Sequence, residues 1–472
     1  EEEIDRELAG AYLRLVAEKR DKADILVRKG FSPENSPNGN WTFNYSSLNV
    51  HRRGDWMVSA MGYSRYLWSS EGYRGENLFG RYMNHGSLQI LATGDPISNH
   101  GSGFRQEGWD WNHFPGTTAT VLPIEQLKAN VKNVDDQSGF EEMLLSGESF
   151  CGGISLSNQH GAFGMKLQEH DKYNGSLRAR KSAFFFDNRI VALGSNIESA
   201  LPEETHTTLF QVFLEHEQMP FLVNGKMRTA FPDHTVLQER KGNLLSDGLG
   251  NYFWINKGAV LFKKEKQQSL HEETGLPTQN NFALAAINHG PSPRNSAYEY
   301  MILVQPGPDE RDKICGKIFS HDLPYVVLQH DSLAHIVHDK ETRTTGYVLF
   351  EAGEVSADSL LRKVNLPSLA MVREIDENKM VLAACDPDLR FYEGDPDEVY
   401  DEEGKSVERS IYSRDWIDNP SGTSYLKITV AGRWKIGVTN RPVRVAESGK
   451  DHTVIEFECR HGLSQEVLLI RN

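Results

Sequence analysis

The chain has 472 residues, 38% of them hydrophobic and 25% charged, with a formal net charge of −15 at neutral pH. That length supports roughly two to four domains with sizeable cores. The acidic balance argues against nucleic acid as a partner, because a phosphate backbone needs a compensating basic surface. No apolar run approaches the roughly 18 residues needed to span a bilayer, so no membrane span is expected.

The first segment predicts a helix. Ile4, Leu8, Tyr12, Leu15 and Val16 recur on one face at helical spacing. Glu1 to Glu3 stand at its start and Lys19-Arg20 near its end, which complements the helix dipole. A lone helix of this length is marginal in water and needs a surface to pack on. The chain opens on Glu1 with neither Met nor signal sequence, so it is expected to be processed or to continue upstream. Ser, Pro, Asn and Gly then dominate residues 31–40, which read as a linker.

Beyond the linker the pattern is almost wholly β. Phe184-Phe185-Phe186 and Arg189 to Leu193 flank Asp187-Asn188, a hairpin candidate. Phe221-Leu222-Val223 runs into Asn224-Gly225, a favoured two-residue hairpin turn. Further strands are expected at Tyr252 to Ile255, Tyr298 to Val304, Tyr325 to Leu328 and Tyr347 to Phe350. Composition shifts again near Ser356 to Pro367. Strands are then expected at Ala370 to Arg373, Met380 to Ala384, Leu426 to Val430, Val454 to Phe457 and Val467 to Ile470. The acidic stretch Glu393 to Glu403 reads as a solvated loop. The expected organisation is residues 1–36 helical with linker, 37–355 large antiparallel sheets packed as a sandwich, and 356–472 a smaller β-sandwich.

Two segments concentrate chemistry. Residues 68–86 hold Trp68, Glu71, Tyr73, Arg74, Arg81, Tyr82 and His85 among glycines, and residues 107–118 hold Trp109, Asp110, Trp111 and His113. Aromatic rings, arginines and carboxylates together suit an anionic, ring-shaped ligand such as an acidic sugar. Glu71 reads either as a surface ion pair or as a carboxylate that orients a cationic or imidazole partner. Arg74 and Arg81 could grip a carboxylate or sulfate through their planar donor forks, or could be structural. Trp109 and Trp111 would share a face if they lay on a strand, open to stacking on sugar rings or packed in the core. Glu71 with Glu76 could also form the carboxylate pair of a glycoside hydrolase. Cys151, Cys315, Cys385 and Cys459 are widely spaced and read as free thiols, with disulfides left open. His330, His335 and His338 lie near Asp331 and Asp339 but on mixed faces, so they read as solvated histidines, and no metal site is expected.

These segments resemble polysaccharide lyase family 8, and within it the chondroitin sulfate ABC lyases. The motifs that carry the resemblance are Trp68-Ser69-Ser70-Glu71, Gly80-Arg81-Tyr82 with His85-Gly86, and Glu107 to Asn112. Lys181-Ser182, Gly194 to Ile197, Thr207 to Gln211, Ala297 to Met301 and Thr345-Gly346-Tyr347 support it. The similarity runs from about Trp41 to the C-terminus. It implies a mainly β fold: a large antiparallel supersandwich, a smaller C-terminal β-sandwich, and a short helical remnant of an α/α toroid. It also implies β-elimination at a uronic acid of a glycosaminoglycan (chondroitin or dermatan sulfate, or hyaluronan). No cofactor is required for that chemistry, although structural calcium is compatible with it. Of the family's catalytic group, Glu71 is the member that this sequence matches. The resemblance places the Tyr, His and Arg in the toroid, upstream of these residues, so the toroid is the implied partner and this chain alone is expected to be inactive. Secretion or a periplasmic location is implied too. The other reading is a non-catalytic carbohydrate-binding β-sandwich protein that uses the same surface.

Overall fold

The computed structural model describes every residue except 1–3, 17–20, 95–96, 240–241, 321, 357, 394–398 and 440–441. Its architecture follows from strands that are apolar at consecutive positions, which must be buried on both faces. Arg178–Phe186 and Arg189–Glu198 pair antiparallel across Asp187-Asn188, with Phe186 opposite Arg189 and Asp187 left-handed at φ 51°. They lie inside a nine-stranded sheet. One face of that sheet, with Phe185, Ile190 and Ala192, packs on Phe210, Phe262 and Ala285 of a five-stranded sheet. The opposite face, with Phe184, Phe186, Val191 and Leu193, packs on Val337, Val348, Leu369 and Met371 of a seven-stranded sheet. The far side of the seven-stranded sheet meets Leu426, Ile428 and Phe457 of a second five-stranded sheet. Four sheets therefore stack around three apolar layers. Truncating one of the buried phenylalanines to Ala would cost about 3–5 kcal/mol.

The anticipated strands are present, as is the Phe221–Val223 hairpin, where Asn224 at φ 49° and Gly225 at φ 78° form the turn. Thr344–Leu349 pairs with Ser368–Asp376, so the seven-stranded sheet continues across the expected division at 355/356. Pro308–Phe319 is a helix that the sequence reading did not anticipate. Pro308 sits in its first turn with Asp309 and Glu310, and Ile314 and Ile318 enter the second apolar layer. Two apolar residues a turn apart are too short a stripe to stand out among strands.

At the N-terminus Arg6–Leu15 and Asp21–Arg28 are helices. Asp5 Oδ1 caps the first, accepting from Glu7 N at 2.8 Å and Leu8 N at 3.0 Å. Ala9 and Gly10 face inward, whereas Leu8 is 72% exposed and Leu15 is exposed as well. The dipole reading built on Glu1 to Glu3 and Lys19-Arg20 lies outside the described residues. All four cysteines are free. The histidine cluster differs from the solvated reading. His335 is fully buried between the hydroxyls of Ser182 at 2.8 Å and Ser195 at 2.9 Å, and burial holds it well below its ordinary pKa. Among the described residues no group of three or more His, Cys, Asp or Glu is placed to hold a metal ion, and no helix is long and apolar enough to cross a membrane.

Candidate functional site

Glu71 lies on a short strand, Glu71–Tyr73, paired antiparallel with Glu141–Met143. Alternation puts Glu71 and Tyr73 on one face and turns Gly72 inward toward Ala129. Reciprocal backbone bonds between Tyr73 and Glu76, at 3.1 and 3.2 Å, close the turn, and Gly75 occupies its left-handed position at φ 85°. Asn77 Nδ2 donates to the Glu71 carbonyl at 2.8 Å. Tyr73 Oη donates to Glu71 Oε1. That bond, some burial and the neighbouring acids hold the Tyr73 hydroxyl above its ordinary pKa, so it remains a donor. Glu71 is half-buried, with its carboxylate braced from one side.

Beside this strand is a buried polar cluster. Lys172 Nζ lies 2.5 Å from both Glu142 and Glu408, and Tyr173 Oη donates to Glu142. The guanidinium of Arg81 stacks on the Tyr173 ring at 3.6 Å and donates to the Gln126 carbonyl at 2.7 Å. Arg81 is only 6% exposed. Its expected role in gripping substrate therefore needs correction: the guanidinium is turned inward and braces the cluster. Arg74 is exposed, with its guanidinium over the Phe140 ring at 5.6 Å, and remains open to an anion.

Trp109 and Trp111 also need correction. They do not lie on a strand. The chain turns there, with backbone bonds from Trp109 to Gln106 and from His113 to Asp110. Both indoles pack with Leu78, Phe79, Tyr82 and Phe282, are 2% and 1% exposed, and offer no face to a sugar. Trp111 Nε1 donates to the Leu270 carbonyl at 2.9 Å. Asp110 organises the turn: Oδ1 accepts from the Asn112 backbone and side chain at 3.0 Å each, and Oδ2 accepts from His113 Nδ1 at 2.8 Å. Burial alone would raise its carboxyl, but His113 and Asn112 outweigh that and hold it well below the usual range.

Lys181 is a second bracing residue whose role the sequence did not reveal. Its amine donates to the carbonyls of His85 and Gly116 at 2.7 Å each, joining the two chemistry-rich segments. Burial alone pulls it well below its ordinary pKa.

The comparisons with known proteins bear on this arrangement. Residues 38–312 match the model of polysaccharide lyase family 8, super-sandwich domain. The chain belongs to polysaccharide lyase family 8. It is 41% identical to a chondroitin sulfate ABC exolyase of Bacteroides thetaiotaomicron, over 99% of this chain and 46% of that protein. It is 37% identical to a chondroitin sulfate ABC exolyase of Proteus vulgaris, over 92% of this chain and 42% of that protein. The chain thus spans a little under half the length of these family 8 relatives. Its fold is similar to that of a Paenibacillus xanthan lyase, with a TM-score of 0.72 at 18% identity, covering 95% of this chain and 39% of that one.

Proposed function

We propose that this chain is the β portion of a glycosaminoglycan lyase that cleaves chondroitin or dermatan sulfate, or hyaluronan, by β-elimination at the uronic acid. The observation that carries the reading is Glu71: a half-buried carboxylate, held by Tyr73 on a short strand, in the segment most specific to the family. The chemistry removes the proton at C5, forms a C4–C5 double bond and breaks the bond from C4 to the departing O4, with no water added. The C5 carboxylate must be neutralised so that an enolate-like intermediate can form. A base takes the C5 proton and an acid protonates O4.

Glu71 cannot do all of this. A carboxylate fixed by Tyr73 is suited to orienting a cationic or imidazole partner, and a second anion beside the uronate would oppose the neutralisation that the reaction needs. The family resemblance assigns the base, the acid and the principal neutralising group to a helical domain, which in this reading packs over the Glu71 edge. Arg74 would meet a substrate carboxylate or sulfate from the β side. The family resemblance implies action in the periplasm or outside the cell.

Growth of ultraviolet absorbance from the unsaturated uronide tests the reading. Glu71→Gln in the complete enzyme should lower kcat by about 10²- to 10³-fold and leave KM within a few-fold, because an orienting carboxylate acts mainly in the transition state. Unchanged kcat would remove Glu71 from the catalytic group. Relatives that are lyases do not favour a purely carbohydrate-binding role.

A further inference from the structure

The C-terminal β-sandwich sends one long connection back toward the Glu71 edge. It is fastened from Lys405 to Ser413. Lys405 Nζ donates to Asn174 Oδ1 at 2.8 Å, and Ser406 N donates to Asp171 Oδ2 at 3.1 Å. Glu408 pairs with Lys172 at 2.5 Å. Ser410 N and Ser413 Oγ both donate to Asp135 Oδ2, at 2.8 and 2.7 Å. These bonds fix a single turn of 3₁₀-helix, Ile411–Ser413.

The side chains of that turn divide sharply. Ile411 and the nearby Trp416 are buried with Tyr66, Met143 and Leu389. Tyr412, between them, is 59% exposed. Its turn is tied through Ser410 and Ser413 to Asp135, inside the segment that Lys132 and Glu141 close by pairing with each other, and Glu141 is also the residue opposite Tyr73. Tyr73 is itself 37% exposed, and Phe140, adjoining the Glu141 that pairs with Tyr73, is 50% exposed. Single exposed aromatic residues are ordinary and need no explanation. Three beside one carboxylate-bearing strand, with the Arg74 cation over Phe140, form a patch of defined chemistry. Apolar ring faces stack on the C–H face of a pyranose, and a guanidinium complements its acidic substituents. The bracing means that little order has to be imposed on this patch when a ligand arrives.

We propose that Tyr412 is a substrate-binding residue supplied by the C-terminal β-sandwich, which stacks on a pyranose ring of the acidic polysaccharide lying along the Glu71 edge. Tyr73 and Phe140 complete the aromatic rim, and Arg74 meets the anionic groups. This rests on the proposed function of that edge. It makes the C-terminal β-sandwich part of the recognition surface as well as a support.

Binding of a chondroitin sulfate tetrasaccharide to the 472-residue chain, followed by saturation-transfer difference NMR titration, tests the assignment. Tyr412→Ala should weaken binding about 3- to 10-fold, as expected for loss of one stacked ring, and Tyr412→Phe should retain it. Tm should not change, because the ring is exposed. Tyr425→Ala removes an equally exposed tyrosine on the outer face of the sandwich and should have no effect. If Tyr412→Ala binds as tightly as the unaltered chain, the inference fails while the reading of the Glu71 edge stands. If the unaltered chain does not bind the tetrasaccharide at all, the reading of the edge fails and takes the inference with it. Should Tyr412→Ala lower Tm, Tyr412→Leu replaces it, and equal affinity for that variant is equally decisive.

Discussion

At the scale of single residues, the same chemistry has been put to opposite uses. Glu71 and Arg74 stay at a solvent-facing edge, whereas Arg81, Trp109 and Trp111 are consumed by the interior. Glu71 was singled out by the Trp68-Ser69-Ser70-Glu71 motif of the family resemblance, and its catalytic role is part of the proposal. The inward turn of Arg81 was not legible, because Tyr173, on which it stacks, comes from a distant part of the chain. The tryptophans misled through Trp-Asp-Trp, which mimics strand alternation. The signal that corrects it was present in Asp110 followed by Asn112 and His113, a polar set that bonds to its own backbone and turns the chain. Trp111→Ala should therefore act on stability and not on sugar binding. A loss of about 3–5 kcal/mol is expected in denaturant unfolding. An unchanged midpoint accompanied by weaker sugar binding would restore its expected role as a stacking platform.

Among elements, strands were far easier to read than connections. The Asn224-Gly225 turn and the paired runs around Asp187-Asn188 declare themselves through local conformational need and continuous apolarity. The connection through Ile411–Ser413 does not, since its conformation is set by partners such as Asp135, Asp171 and Lys172 that lie far away in sequence. Asp135 is the anchor with the most bonds: it also accepts from Gln137 N and Ser138 N, and these contacts lower its carboxyl even though partial burial works the other way. Asp135→Ala should cost about 1–2 kcal/mol through the lost hydrogen bonds. Amide exchange should quicken at Ser410 to Ser413 while the nine-stranded sheet stays protected. Unchanged exchange there would show that the connection is held by its apolar anchors alone.

For the whole molecule, burial governs both stability and function. Four stacked sheets leave several histidines deep in the fold. Burial lowers His51 to about 3, and burial together with Lys181 lowers His85 to about 3, from an ordinary value of 6.5. Below pH 6.5 the unfolded chain takes up protons that these folded sites refuse. The stability they allow is complete above 6.5 and declines as pH falls toward 3, by about 1.4 kcal/mol per pH unit for each site. Tm should fall steeply across that window, and His51→Gln should flatten the fall. A Tm that is level from pH 6.5 to 4 would contradict the buried neutral state. Large packed antiparallel sheets were legible from apolar strand runs such as Phe184 to Phe186 and their turn signals, and the supersandwich came from the family resemblance, with which family 8 membership agrees. The division of labour between sheets was not legible, because the seven-stranded sheet recruits strands from both sides of a composition shift.

The central claim is that these residues supply an orienting carboxylate and a sugar-facing wall, while the base and acid come from a helical domain. The most direct test follows ultraviolet absorbance of chondroitin sulfate incubated with the purified chain, alone and then mixed with the helical portion of a family 8 relative. The account predicts no rise with the chain alone, a rise on mixing, and loss of about 10²-fold or more of that rate with Glu71→Gln. Steady turnover by the chain alone, or equal rates for the mixture with and without Glu71→Gln, would contradict it.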